Sequence, residues 1–199
     1  MPATNNADLV RLTLDGLLFL RPYNSAAITG PGDISSLSDD HYLGYYSEDG
    51  YTLAPEPGDT NEFRAHNSDI VDDTVDEGFW TFQVAGLETR ENIVNAYFET
   101  TVDSDGHYAV TTSATNKRYN LVSVGKSKNG GVIVTEFPFV KINEREGITF
   151  NRSTLVAYGM TFRAYKHPTR VDVTTGKQVF FEAWDSLLGA DDSSSSSSS

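Results

Sequence analysis

At 199 residues the chain fits one domain, long enough to bury a core without disulfides or metals. The absence of cysteine excludes thiol nucleophiles, thiolate metal sites and disulfide scaffolds, and a net charge of -13 excludes affinity for nucleic-acid phosphates, which comes from Lys and Arg displacing counterions. Eleven Phe, ten Tyr and two Trp, with many Val and Thr, favour strands over helices, so the expected class is mainly β (α+β). The acid is concentrated in one half: residues 1–100 hold 4 Lys/Arg against 18 Asp/Glu, and residues 101–199 hold 11 against 10.

Residues 1–8 are polar and read as an N-terminal arm that orders against a neighbour, ahead of a β domain over 9–188. The arm lacks the basic start and apolar run of a secretory signal, and no stretch reaches membrane-spanning length, so a soluble chain made in the cytoplasm is expected. Val10, Leu12 and Leu14 alternate with polar residues and lead into Leu17-Leu18-Phe19-Leu20, a strand ending at Pro22 that begins one sheet edge. Asn24 to Asp40 is a Ser/Gly/Pro/Asp-rich surface loop. Tyr42–Tyr46 and Tyr51–Ala54 read as strands joined by a tight turn at Glu48-Asp49-Gly50. A long acidic loop over about 47–67 contains that turn and stays polar to Asn67. Loops of such length are functional or order against a partner.

A second acidic stretch, Asp69 to Gly78, leads into Phe79–Leu87, a strand with Trp80, Phe82 and Val84 on its apolar face. The period then changes: Ile93, Val94, Tyr97 and Phe98 form one stripe of a helix over about 89–99, with Thr89 as N-cap and Glu91 complementing the dipole. Strands follow at Tyr108–Thr112, Tyr119–Val124, Val132–Val140, Ile148–Phe150 and Leu155–Tyr165, with a hairpin turn at Asn129-Gly130. Val171, Val173, Val179 and Phe181 flank a last hairpin. Residues 189–199, ending in seven serines, form a low-complexity tail with nothing to bury and are expected to be disordered.

Catalytic signatures are missing. His41, His66, His107 and His167 share no metal-ligand spacing and read as surface histidines. Asp103-Ser104-Asp105-Gly106 opens like a calcium loop, but Ala114 stands where the twelfth-position Glu is required, so a turn is expected. No nucleophile elbow, P-loop or dinucleotide fingerprint occurs, and carboxylate pairs are inevitable in so acidic a chain. Neither a cofactor nor a metal is expected. The acidic cluster Asp69, Asp72, Asp73, Asp76 and Glu77 reads as solvated charge, or as a face turned to a neighbouring copy or a channel.

Four features in order, Gly16-Leu17-Leu18-Phe19-Leu20, the run Leu43-Gly44-Tyr45-Tyr46-Ser47-Glu48-Asp49-Gly50-Tyr51-Thr52, one helix after a strand, and Tyr158–Tyr165 before a terminal hairpin, resemble the major tail tube proteins of long-tailed bacteriophages, particularly those of actinobacteria. The likeness covers nearly the whole chain outside the serine tail, which has no counterpart in it. It implies a β-sandwich or partial barrel with one flanking helix, no catalysis, and hexameric rings stacked head to tail into a virion tube through which viral DNA passes unbound. It further implies partners among tape measure, tail terminator and distal tail proteins, and no membrane.

Carried onto this sequence, the likeness makes the arm at 1–8 and the loop residues Ser47, Glu48, Asp49, Tyr51, Glu56, Asp59, Glu62 and Arg64 inter-ring contacts. The acidic cluster would then face the bore or a neighbour. A rival reading is a β-sandwich carbohydrate-binding module that uses Tyr42, Tyr45, Tyr46 and Tyr51 as a platform.

Overall fold

The structure, a computed structural model, describes residues 13–64, 66, 70–111, 117–128 and 130–188. The expected N-terminal arm, the serine tail, Asp69 and the Asn129 corner of the hairpin turn lie outside these residues. The elements run β1 (Thr13–Pro22), β2 (Tyr46–Glu56), β3 (Thr60–Arg64), β4 (Ile70–Val75), β5 (Phe79–Gly86), α1 (Glu91–Tyr97), β6 (Tyr119–Ser127), β7 (Val132–Arg145), β8 (Tyr158–Ala164) and β9 (Glu182–Asp185). The fold is mainly β: a curled antiparallel sheet of order β1-β6-β7-β8-β5-β2, with β9 beside β7, one helix, and a separate β3–β4 ribbon.

The long strand β7 joins the two halves of the sheet. Its first part pairs with β6 on one side and β9 on the other, and its last part, from Val140 to Arg145, pairs with β8. Buried Pro138 sits where the β6 register skips, between the pairs Leu121–Phe137 and Tyr119–Val140. A residue without an N–H is tolerated at such an irregularity, and the irregularity helps the sheet curl.

Curling brings the two margins together at one place. Tyr42, just before β2, bridges Phe19 of β1, and Leu43 N donates to Leu18 O at 2.8 Å. Tyr46 also lies over Gly16, where an added Cβ would sit 2.0 Å from the tyrosine oxygen. Among the described residues no ladder joins β1 to β2 beyond that meeting point, so the barrel is partial.

The interior holds Leu18, Phe82, Ile93, Leu121, Phe137, Met160 and Phe162, each almost wholly buried. A buried Phe contributes roughly 1.5–3 kcal/mol through apolar area alone. Phe19, Ile28, Val122, Val124 and Val134 form a second cluster. The β1–β6–β7 corner is therefore covered on both faces, which explains the unbroken apolar run at Leu17–Leu20. Within the expected surface loop, short 3₁₀ segments at Pro31–Ser36 and Asp39–His41 form, and Ile28, Ile34 and Leu37 pack into this second cluster.

Several expectations need correction. The hairpin between Tyr42–Tyr46 and Tyr51–Ala54 does not form. Instead Tyr42–Tyr45 precede the strand, β2 runs unbroken from Tyr46 through Tyr51–Ala54, and Ser47–Gly50 is an outward bulge between the pairs Tyr46–Gly86 and Tyr51–Val84. Gly50 has the positive φ of 76° that the Asp-Gly pair foretold, but it serves the bulge. The helix is shorter than 89–99, and its N-cap is Arg90, because Thr89 Oγ1 is held by the Tyr158 hydroxyl at 3.2 Å.

Ile148–Phe150 and the described part of Tyr108–Thr112 are not strands. Ile148 packs on the core as a single anchor, and Tyr108 stacks on Phe98 at 5.4 Å. The last hairpin reduces to one bridge, Val171–Gln178, around a turn at Asp172–Gly176.

His167 beside that turn carries a pH dependence. Its Nδ1 accepts from Arg170 N at 3.2 Å, and burial, then the Arg170 charge, hold its pKa below the ordinary 6.5, outweighing Glu136 and Glu182. The unfolded chain therefore binds more protons, so this contribution is complete above 6.5 and is lost as pH falls from there towards the lower folded value. Denaturation midpoints should drop on acidification through that window, and a His167→Gln variant should flatten the drop.

Candidate functional site

The acidic residues that look like two separate features in sequence are the two strands of one object. β2 and β5 are antiparallel partners as far as Glu56–Phe79, and the chain between them continues outward as the β3–β4 ribbon. Where ribbon meets body the strands cross closely: a Cβ on Gly58 would lie 1.7 Å from Asp76 O, and one on Gly78 would lie 2.5 Å from Glu56 O. Only glycine fits there. Asp76 N donates to Asp59 O at 2.8 Å and locks the base.

The supposed loop over 47–67 is therefore a bulged strand, a kink and the outgoing strand of a hairpin. Residues 57–78 carry seven acids against one Arg. Glu62 stands directly opposite Asp73, a like-charge pairing that destabilises a two-stranded ladder. Phe63 is 56% exposed and Val75 66%, on opposite faces. An isolated ribbon of this kind is marginal in water and needs something to pack on.

The other predicted residues fall in different places. Ser47, Glu48 and Asp49 lie on the β2 bulge, where Ser47 Oγ accepts from Asp49 N at 3.3 Å. Glu56 accepts from Thr81 Oγ1 at 3.3 Å at the end of β2. Arg64 pairs in register with Ile70, and Asp72 with Phe63. Glu77 is ion-paired with Lys166 of the body. Tyr51 turns inward and stacks on Phe82 at 4.9 Å. Tyr46 packs beside it and Tyr42 against Phe19, so Tyr45 alone of the four tyrosines is largely exposed. A flat aromatic platform is not formed.

Opposite charge gathers elsewhere. On the outer face of β7 and β8, Lys141 stands directly across from Arg163, with Phe139 and Tyr165 stacked between cations at 5.0 Å. Sequence reasoning missed this strip, because its members come from separated segments that only the register brings together.

Inside the body, fully buried Glu136 accepts from Ile28 N at 3.0 Å, Asn120 Nδ2 at 2.6 Å and Arg170 Nη1 at 2.6 Å. This carboxylate ties three distant segments together and has no open approach. A cleft of about 790 Å³ lies between Asp39–His41, α1 and Lys117–Tyr119. Arg90 on its rim is bonded to Glu88 at 2.5 Å. Among the described residues no group of three His, Asp or Glu is arranged to hold a metal, and no helix is long and apolar enough to cross a membrane.

Asp103 Oδ1 accepts from Asp105 N at 3.0 Å and His107 N at 2.8 Å, closing the expected turn with its own backbone. Compared with known proteins, the chain matches no family model and no curated sequence.

Proposed function

We propose that this chain is a structural, self-assembling protein of the tail-tube kind, building stacked rings around a channel for viral DNA and performing no catalysis. One observation carries the reading: an acidic ribbon with exposed apolar residues on both faces extends from a curled sheet whose margins, among the described residues, meet at one point. Open margins are a hazard in a lone monomer and useful when identical neighbours complete the sheet. A projecting ribbon received by a different surface of the next copy is a heterologous contact, which closes into rings or propagates as a filament.

The acidity suits the role, because a negative channel repels phosphates and lets DNA pass without sticking. In this reading the rings are hexameric, the location is the virion, and tape measure, terminator and distal tail proteins cap or fill the tube. The ribbon, together with the arm at 1–8, bridges successive rings.

Negative-stain electron microscopy of the purified protein tests the proposal. Rings or hollow tubes are expected, and their yield should change with ionic strength because the bridging surfaces are charged. A chain that stays monomeric at high concentration, even when supplied with a tail initiator complex, would end this reading.

A further inference from the structure

The strands β2, β5, β8 and the last part of β7 carry different projections at their two ends. At one end Glu56 pairs with Phe79, and the acidic ribbon continues outward from that pair. At the other, Gly86 pairs with Tyr158 and Arg145 with Met160, and the chain over 146–157 connects β7 to β8. The eight residues of β5 set these ends about 23 Å apart at about 3.3 Å per residue.

The connection is held at both feet, where Ile148 and Val156 pack against the core. Between them Asn151 Oδ1 accepts from Ser153 N at 2.9 Å, Thr154 N at 2.7 Å and Thr154 Oγ1 at 2.7 Å, closing a turn. The turn leaves Phe150 78% and Leu155 75% exposed, with exposed Arg152 between them in sequence. Arg152 makes no ion pair among the described residues. One exposed apolar side chain is ordinary, whereas two flanking a turn with anchored feet make a surface ordered before any partner arrives.

The ribbon offers the counterpart. Directly opposite residues of an antiparallel pair share a face, so exposed Phe63 and exposed Asp72 stand side by side, a ring beside a carboxylate. We infer that this face of one copy's ribbon docks on the 147–157 loop of the next copy, Asp72 meeting Arg152 and Phe63 packing against Phe150 and Leu155. The inference rests on the assembly reading above and names the surface that receives the bridge. A contact between opposite ends of the same strands is heterologous and repeats along them, which stacks copies head to tail.

The acids nearest the loop do not compete for the role. Glu146 at its foot accepts from Gln83 Nε2 at 3.0 Å. Glu48 and Asp49 of the bulge lie at the same end but on β2, two strands from β8, about 10 Å at about 4.8 Å per strand. They repel an acidic ribbon and leave the Arg152 side as its approach.

The test uses full-length chains, circular dichroism confirming that each variant is folded. Asp72→Arg and Arg152→Asp, made in separate chains, should each raise the critical assembly concentration about tenfold, through a like-charge contact repeated at every step. An equimolar mixture should return to the wild-type value, since each ribbon then finds a loop of opposite charge, and so should one chain carrying both changes. The chain has no cysteine, so thiols introduced by Phe63→Cys in one copy and Leu155→Cys in another report this contact alone. A short bismaleimide should link the two variants to each other in assembled material and neither to itself.

If the wild type assembles and the reversed chains assemble equally well, if the mixture stays unassembled, or if no cross-link forms, the docking surface is wrong while the tube reading stands. A loss with Arg152→Asp and none with Asp72→Arg would likewise overturn it, giving the loop a different partner. A wild type that never assembles removes both.

Discussion

Glu136→Ala is expected to lower the folding free energy by about 3–5 kcal/mol, the cost of breaking a buried charge pair from one side. The carboxylate is fully buried, and each oxygen is in use: Oε2 accepts from Ile28 N at 3.0 Å and Arg170 Nη1 at 2.6 Å, and Oε1 from Asn120 Nδ2 at 2.6 Å and Arg170 Nη2 at 3.2 Å. Truncation would strand the Arg170 guanidinium with only Glu182 at 3.3 Å. It would also leave Arg21 beside it without an opposing charge. Burial already lowers the Arg21 pKa, the Glu136 charge works against that, and Arg170 adds to it.

Urea denaturation checks this expectation. Removing both partners, as Glu136→Leu with Arg170→Met, should recover part of the loss, because the Arg170 charge is no longer stranded and no longer repels Arg21, which alone stays without its opposing charge. A loss below about 1 kcal/mol for Glu136→Ala would place the lock among minor contributors. The assembly reading depends on this lock indirectly. It fastens the loop at Ile28 and the segment leading to β9 onto the sheet from whose ends the ribbon and the β7–β8 connection project.

Elements whose burial matches their period were legible in the sequence. β5 alternates cleanly, with Phe82 and Val84 inside and Gln83 outside, and the Ile93–Val94–Tyr97 stripe marks α1. β6 and the first part of β7 are apolar enough to be read without alternation. The ribbon was illegible for the converse reason. Among the described residues Thr60–Arg64 pairs with β4 alone, and Thr60, Asn61, Glu62 and Phe63 are all exposed, so neither face of it had to be apolar.

The Asp49-Gly50 pair was read as a turn because a turn and a bulge ask the same positive φ of glycine. Only the partner strand decides between them, and β5 lies 30 residues further on. The strip was hidden for a similar reason, since Arg118, Lys141 and Arg163 are unremarkable singly and become a surface through the β6–β7–β8 register. Charge was visible in the sequence as an imbalance between halves. Its placement as two opposed like-charge pairs was not.

Excising the ribbon should separate folding from assembly. Glu56 and Phe79 are register partners, so replacing Pro57–Gly78 by Asn-Gly closes β2 and β5 with the two-residue turn that suits a twisted hairpin. The body loses one ion pair, Lys166–Glu77, whose carboxylate side chain is 64% exposed, and such pairs contribute at most about 1 kcal/mol. The like-charge pair Glu62–Asp73 disappears with the ribbon, which offsets part of that. The melting temperature should therefore stay within a few degrees of wild type, with unchanged far-ultraviolet dichroism in the strand region.

Assembly should behave otherwise, since the excised residues include the exposed Phe63 and Val75 and seven of the chain's acids. Tubes should be absent by negative stain at concentrations where the wild type forms them, leaving monomers or single rings held by the open sheet margins. Single rings would divide the contacts into two classes, margins within a ring and ribbon between rings. Tubes of normal length from the excised chain would mean that the ribbon bridges nothing. A collapse of the melting temperature would mean that the body and ribbon fold as one unit and that its acids serve the monomer.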